Sequence, residues 1–98
     1  MAIINLILKD QCCFIEGELT RKSVPLIAKA QIKQLFSLET IEIDFSQLQR
    51  VDTAGLAWVC KILEQAISCK KAINFVNMPT QLIKLATLSG VDSFLPIK

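Results

Sequence analysis

The residues between Ile41 and Ala66 constrain the fold most, because the period of their apolar pattern changes partway along. From Ile41 to Phe45, apolar residues alternate with acidic ones, which predicts a strand with one face in a core. From Leu56 onward the apolar residues recur every three or four positions, which predicts a helix. The predicted core face of that helix comprises Leu56, Val59, Cys60, Leu63, Ala66 and Ile67.

The junction between strand and helix reads Asp-Thr-Ala-Gly at residues 52–55. Asp and Thr are typical of helix starts, because their side-chain oxygens accept the unpaired N–H groups of the first turn. The sequence therefore predicts that a hydroxyl is presented at a helix N-terminus, just past a strand. We expect the function of the protein at this junction.

The remaining segments predict a small α/β domain. Residues 3–8 and 12–19 are typical of two strands of a hairpin that turns at Asp10 and Gln11. A helix is predicted over 23–36, a strand over 72–76, and a helix from about Pro79 to a C-terminal cap at Gly90. Strand–helix–strand units give parallel pairing. We predict one domain over 1–98, a four-stranded and mostly parallel mixed sheet, and three helices mainly on one face. The tail, 91–97, is expected to fold back on the sheet.

Composition excludes several classes of function. The net charge of +2 on 98 residues is too small to indicate nucleic-acid binding or attraction to an anionic membrane. No apolar run approaches the roughly 20 residues of a membrane span. The apolar start lacks the basic residues and the small-residue cleavage site of a signal peptide, so we expect a cytoplasmic protein without direct membrane insertion.

The catalytic and metal-binding inventory is small. The chain has no histidine and no tyrosine, its three glycines form no phosphate-binding loop, and its four cysteines form no C-x-x-C pair. Asp44 and Asp52 offer a possible metal pair, although two solvated loop carboxylates are the simpler interpretation. We therefore predict a protein that is not an enzyme and has no cofactor, with reduced and mostly buried thiols.

Each residue at the junction has a structural interpretation beside a functional one. Thr53 is either a helix cap or an interface residue, and both roles are compatible. Asp52 is a second candidate cap and can also hold the loop in place. Gly55 allows close approach of helix and strand, or of a partner's backbone. Trp58 belongs to the core or anchors a partner.

Three stretches together resemble the STAS domain, which sulfate transporters and anti-sigma-factor antagonists share. They are Gly17-Glu18-Leu19 after the second strand, the strand at 41–46, and Val51-Asp52-Thr53-Ala54-Gly55-Leu56 at the helix start. The resemblance covers nearly the whole chain, and the last stretch is its most specific part. In antagonists of this family the hydroxyl after the Asp is usually a serine that a kinase phosphorylates. Here it is Thr53, and Thr20 stands where an Asp is frequent.

The form Val-Asp-Thr-Ala-Gly-Leu-Ala, the small size and the final Phe94-Leu95-Pro96 are similar to the branch of the family that serves Mla-type phospholipid ABC transporters. That resemblance implies a partner-binding site at Asp52, Thr53, Ala54, Gly55 and Trp58. It also implies an MlaF-like ABC ATPase subunit as the partner, and through it a membrane permease. The alternative is an anti-sigma-factor antagonist that is switched by phosphorylation of Thr53. A nucleotide- or lipid-binding domain is a weaker third possibility.

Overall fold

The computed structural model describes residues 3–96, which form five strands and three α-helices. The strands are β1 (Ile4–Lys9), β2 (Cys12–Leu19), β3 (Thr40–Asp44), β4 (Leu48–Val51) and β5 (Ala72–Val76). The helices are α1 (Lys29–Leu35), α2 (Thr53–Ser68) and α3 (Thr80–Leu88), and short 3₁₀ turns lie at Val24–Leu26 and Asp92–Phe94. No helix in the described part of the chain is long and apolar enough to cross a membrane.

The sheet is mixed and mostly parallel, as predicted. Its main path runs β1-β2-β3-β5; β1 is antiparallel to β2, whereas the other pairings are parallel. Asp10 and Gln11 form the predicted hairpin turn with φ values of 53° and 67°. Positive φ at both central residues gives a turn whose twist matches that of the flanking strands.

The prediction of four strands is wrong, because β4 adds a fifth. β4 runs parallel to β2 beside its C-terminal end, whereas β3 pairs with β2 nearer its start. A register shift separates Gly17 from Glu18, and Gly17 has a φ of 99°. Residues 47–50 read Gln-Leu-Gln-Arg, which lacks the alternation that identifies a strand. Pairing with the exposed end of β2 makes this segment a strand despite its polar sequence.

The core lies on one face of the sheet, where all three helices contribute buried side chains. Ile15, Ile43 and Phe75 point into this core from three neighbouring strands and are fully buried. The ring of Phe45 packs edge-to-face on that of Phe75, with centroids 5.7 Å apart. Residues on the opposite face, such as Glu16, are exposed or only partly buried. The predicted arrangement of helices mainly on one face is therefore confirmed.

The first helix is shorter than predicted. Instead of one helix over 23–36, a 3₁₀ turn at Val24–Leu26 is followed by an extended break and then by α1. Ile27 and Ala28 have ψ values of 117° and 147°, so the backbone leaves helical geometry between the two pieces. Ala28, inside the predicted helix, is instead the exposed N-cap of α1. Without a core contact at Ala28, nothing holds this segment in one continuous helix.

The helix α2 begins at the predicted junction, but its buried face is rotated. The buried residues are Gly55, Leu56, Trp58, Val59, Ile62 and Ala66. Ile67, which we expected in the core, is 66% exposed. It follows Ala66 by about 100° around the helix axis, and Ala66 already faces the sheet. Two large side chains, those of Trp58 and Ile62, take the space toward the 3₁₀ turn and α1 instead.

The C-terminal tail returns to the sheet, as predicted. The backbone N–H of Phe75 donates to the carbonyl oxygen of Pro96 at 3.0 Å, so the tail lies along the outer edge of β5. Leu95 is buried, whereas Phe94 is 72% exposed and does not join the core. Gly90 ends α3 with a φ of 74°, as a C-terminal cap requires. Ile97 lies outside the described residues.

The four cysteines differ in burial, and this predicts an order of reactivity. Burial raises the pKa of the Cys13 thiol to about 12, and burial also raises the pKa of Cys60. Burial, then the carboxylates of Glu42 and Asp44, raise the pKa of Cys12. Cys69 is exposed. Because the thiolate is the reactive form, native protein treated with iodoacetamide should be alkylated first at Cys69 and last at Cys13. Peptide mass spectrometry would measure this order; equal rates at these two residues would contradict the packing.

Candidate partner-binding site

Thr53 is the first residue of α2 and its side chain is exposed to solvent. The N-cap is Asp52, whose backbone is extended, with φ −126° and ψ −171°. Because Asp52 fills the capping position, the interpretation of Thr53 as the helix cap is wrong. The Thr53 hydroxyl is therefore available to a partner without loss of the capping bond of α2.

The carboxylate of Asp52 connects the helix start to the loop after β2. Its Oδ1 accepts from the backbone N–H of Gly55 at 3.1 Å, and its Oδ2 accepts from the backbone N–H of Arg21 at 3.0 Å. Its own backbone N–H donates to the carbonyl oxygen of Leu19 at 3.3 Å. Asp52 thus both caps α2 and holds the neighbouring loop, and these were the two structural roles expected of it.

The loop after β2, residues 20–23, is fixed from below by Ser23. The Ser23 side chain is fully buried; it donates to the carbonyl oxygen of Glu18 at 2.7 Å and accepts from the backbone N–H of Thr20 at 2.8 Å. The sequence suggested that Ser23 begins a helix, but its side chain makes no capping bond there. A buried hydroxyl with both hydrogen-bonding functions used fixes the loop that carries Arg21 and Lys22.

Gly55 lies where α2 approaches the end of β2 most closely. A Cβ atom at this position would overlap the carbonyl oxygen of Leu19 and would lie 2.8 Å from Cγ2 of Val51. No side chain fits there without a shift of backbone. The expectation that Gly55 permits close approach of helix and strand is confirmed, and its burial places it beneath the surface that Thr53 presents.

Ala54 and Trp58 lie on the first two turns of α2 with different exposure. Ala54 is half-buried beside Thr53, and its backbone N–H helps to lower the pKa of Asp52. Trp58 is only 7% exposed and lines a small groove of about 200 Å³ between α2 and the segment before α1. The structural interpretation of Trp58 as a core residue accounts for its burial, and a partner could reach only its edge.

An open cleft of about 490 Å³ surrounds the Thr53 side chain. It is lined by Glu18, Thr20, Arg21, Lys22, Arg50, Asp52, Thr53 and Ala54. The parallel strands β2 and β4 end side by side here, and the ends of these strands together with the segments that follow them supply all of these residues. The cleft can hold a polar or charged group of a partner, but it offers few apolar contacts.

Sequence reasoning missed three cations of this cleft, because it considered only the net charge. Arg21 and Lys22 lie on the loop after β2, and Arg50 is the next-to-last residue of β4. Parallel strands end at a common edge, so residues just beyond two such strands converge there. Recognition of β4 as a strand beside β2 would have brought these side chains together with Thr53.

Asp44 and Asp52, the possible metal pair, each have separate local partners. Asp44 accepts from the backbone N–H of Ser46 at 2.7 Å and from the side-chain amide of Asn77 at 3.1 Å. Across residues 3–96 no three Cys, Asp or Glu side chains converge as a metal-binding cluster. The structure thus accounts for both carboxylates through hydrogen bonds at the strand ends.

The bonds to Asp52 predict a loss of stability in acid. Burial acts to raise the pKa of Asp52, but the backbone N–H groups of Arg21, Gly55 and Ala54 outweigh it and hold the pKa below its ordinary value. In the unfolded chain the pKa is about 3.9. The stabilisation is therefore complete above this value and is lost as the pH falls from about 4 through the lower folded-state pKa.

Asp52→Asn should reduce this loss, because the amide does not titrate. Urea unfolding of the parent and the variant at pH 7 and pH 3 measures the effect: the difference between the two pH values should be smaller in Asp52→Asn. Asp44→Asn should show the same direction, since hydrogen bonds from Ser46 and Asn77 outweigh burial and lower the pKa of Asp44. An unchanged pH dependence in Asp52→Asn would contradict the capping geometry.

Comparison with known proteins identifies the class to which this fold and site belong. The family model described as "Mlab, STAS domain" matches residues 9–96. The chain therefore belongs to the STAS domain family, in its MlaB-type branch. It is similar to the intermembrane phospholipid transport system binding protein MlaB of Haemophilus influenzae, with 33% identity over 88 residues, which cover 84% of this chain and 82% of that protein. The resemblance to MlaB that the helix-start sequence predicts is confirmed.

Solved structures give the same fold. The anti-sigma factor antagonist SpoIIAA in its unphosphorylated form superposes with a TM-score of 0.69 at 19% identity, covering 98% of this chain and 88% of that one. An anti-sigma factor antagonist from Mycobacterium paratuberculosis superposes with a TM-score of 0.61 at 17% identity. The match covers 99% of this chain and 85% of that one. At these identities the likeness establishes the STAS fold alone.

Proposed function

We propose that this protein is a non-catalytic accessory subunit that binds the ATPase of an Mla-type ABC phospholipid transporter and stabilises or activates it. The protein would act in the cytoplasm, held at the inner membrane through the ATPase and its permease, in the maintenance of outer-membrane lipid asymmetry. The similarity to MlaB of Haemophilus influenzae supports the transport system, since that protein is a binding protein of intermembrane phospholipid transport.

One structural observation supports the start of α2 as the binding surface. Asp52 performs the capping of α2, so the exposed Thr53 side chain beside it has no part in that bond. Thr53 lies in a cleft whose loop is fixed by the buried Ser23 and by Asp52. A polar side chain that the fold does not require, held on a rigid support, is suited to contact with another protein. The partner surface would comprise Asp52, Thr53 and Ala54, with Gly55 and Trp58 supporting it from beneath.

The experiment that tests this function is copurification of the chain with the Mla-type ATPase subunit of the same organism. The two proteins, produced together, should elute as one complex in size-exclusion chromatography. ATP hydrolysis or thermal stability of the ATPase should rise in the complex. Separate elution, with an ATPase that behaves identically with and without the chain, would contradict the proposal.

An anti-sigma-factor antagonist switched by phosphorylation of Thr53 is the second candidate. It is favoured by the three cations near the exposed Thr53 hydroxyl, because a phosphoryl group adds about −1.5 to −2 charges and binds guanidinium groups well. Peptide mass spectrometry of the protein purified from its own cells would decide. Phosphothreonine at position 53, together with a copurifying kinase in place of the ATPase, would favour this second function.

A further inference from the structure

The solvent-facing rim of the Thr53 cleft is positively charged. Of the residues that line the cleft, Arg21, Lys22, Arg50 and Thr53 are exposed. The two carboxylates of the cleft, Glu18 and Asp52, are partly buried. The exposed residues of the cleft are therefore three cations and one residue with a hydroxyl group. We call Arg21, Lys22 and Arg50 the basic rim.

The two partly buried carboxylates do not remove the binding capacity of the basic rim. Both oxygens of Asp52 accept backbone N–H groups, from Arg21 and from Gly55. Glu18 is the cross-strand neighbour of Arg50 in the parallel ladder. A guanidinium group carries five N–H donors, so one neighbouring carboxylate leaves most of them free. Lys22 adds a third cation, so the basic rim exceeds the two carboxylates by one charge.

The basic rim is also held in position before a partner arrives. Arg21 and Lys22 lie on the loop that the buried Ser23 fixes, and Arg50 lies on β4, which is paired with β2. Cations on a preordered backbone lose less conformational entropy on binding than cations on a mobile loop. Arginine in particular binds carboxylates through two parallel N–H bonds, which adds geometric specificity.

We propose that the ATPase surface that covers Thr53 is acidic and presents Asp or Glu carboxylates to Arg21, Lys22 and Arg50. This inference rests on the proposed function and adds the chemistry of the partner's surface. Charge pairing, and not burial of apolar area, then sets the affinity and the orientation of binding at this end of α2. The polar lining of the cleft supports this, because it offers an apolar anchor little to contact.

The test measures the affinity of the Mla-type ATPase of the same organism for the parent and for charge variants. Arg21→Glu and Arg50→Gln change the basic rim, whereas Lys84→Glu changes an exposed cation of α3 and serves as the control. Arg21→Glu should weaken binding by about tenfold or more, since it reverses a charge that pairs across the interface, and Arg50→Gln by less, since it only removes one. Lys84→Glu should bind like the parent. The affinity of the parent should fall as salt rises, and this dependence should be weaker in Arg21→Glu.

The outcomes separate this inference from the proposed function. If the parent binds the ATPase and both rim variants bind equally well, the acidic surface is refuted while the function stands. If the parent does not bind the ATPase, the proposed function and the inference of an acidic surface are both refuted. If inorganic phosphate displaces the ATPase at constant ionic strength where chloride does not, the rim is a phosphate site and the acidic protein surface is refuted. Melting of each variant beforehand verifies that it is folded.

Discussion

Gly55→Ala should destabilise the protein far more than Gly90→Ala, although each variant adds one methyl group to a glycine. The added Cβ would overlap the carbonyl oxygen of Leu19, which is backbone and cannot move aside cheaply. We expect a loss of about 3 kcal/mol or more, at or above the upper end for overpacking, and a melting temperature lower by about 12 °C or more. Gly55→Val should be worse, because it adds two further methyl groups where the Cβ atom already overlaps Leu19 and crowds Val51.

Gly90→Ala is the matched control for this effect. Gly90 has a positive φ of 74°, and a Cβ atom there meets nothing within 4 Å. The stability lost in Gly90→Ala should be limited to the strain of an alanine in left-handed backbone geometry, about 1–2 kcal/mol. Thermal melting of the three variants measures the difference. If Gly55→Ala melts like the parent, α2 does not contact β2 as closely as the structure has it, and the position of Thr53 would need revision.

Thr53→Glu should leave the stability of the fold unchanged and weaken binding to the ATPase. Glutamate in the first turn of α2 is favoured by the helix dipole, by about 0.3–1 kcal/mol, so the melting temperature should be unchanged or slightly raised. At the interface, the new carboxylate would attract the basic rim and repel the acidic surface proposed for the ATPase. We expect the affinity to fall by about two orders of magnitude, consistent with the several kcal/mol that like charges facing each other across an interface cost.

Thr53→Ala is the comparison that separates the effect of removing the hydroxyl from the effect of adding a charge. Because Asp52 is the cap, removal of the exposed Thr53 hydroxyl should change stability by no more than about 0.5 kcal/mol. Its effect on binding should be smaller than that of Thr53→Glu, since it deletes a contact and adds no charge. A large loss of stability in Thr53→Ala would mean that Thr53 contributes to the helix start after all.

Much of the fold follows from local patterns in the sequence. The alternation around Ile43 and the three-to-four spacing from Leu56 each identify an element, because each element buries one face. The bounds of α2 are predictable because Asp52 marks its start. The buried face of α2 was predicted only in part, since apolar residues extend over more than half of its circumference. Packing of Trp58 against the segment before α1 selects which of them are buried, and that contact is not local in sequence.

The candidate site was predicted in its central residues but not in its surroundings. Asp52 and Gly55 follow from capping chemistry and from the need for close approach. The basic rim depends on β4, a strand that exists because the end of β2 is available for pairing. The buried role of Ser23 likewise depends on the turn that brings it beneath Glu18 and Thr20. Such contacts join residues through tertiary structure, and no periodicity in the sequence records them.

The central claim is that the protein binds its ATPase through the exposed start of α2. The most direct measurement is a titration of the purified Mla-type ATPase subunit with the parent, Thr53→Glu and Thr80→Glu. Thr80 is the exposed first residue of α3, so Thr80→Glu makes the same substitution at the same helix position away from the cleft. We predict tight binding by the parent and by Thr80→Glu, and a loss of about 100-fold in Thr53→Glu without loss of folding. Equal affinity of Thr53→Glu and Thr80→Glu would contradict the claim.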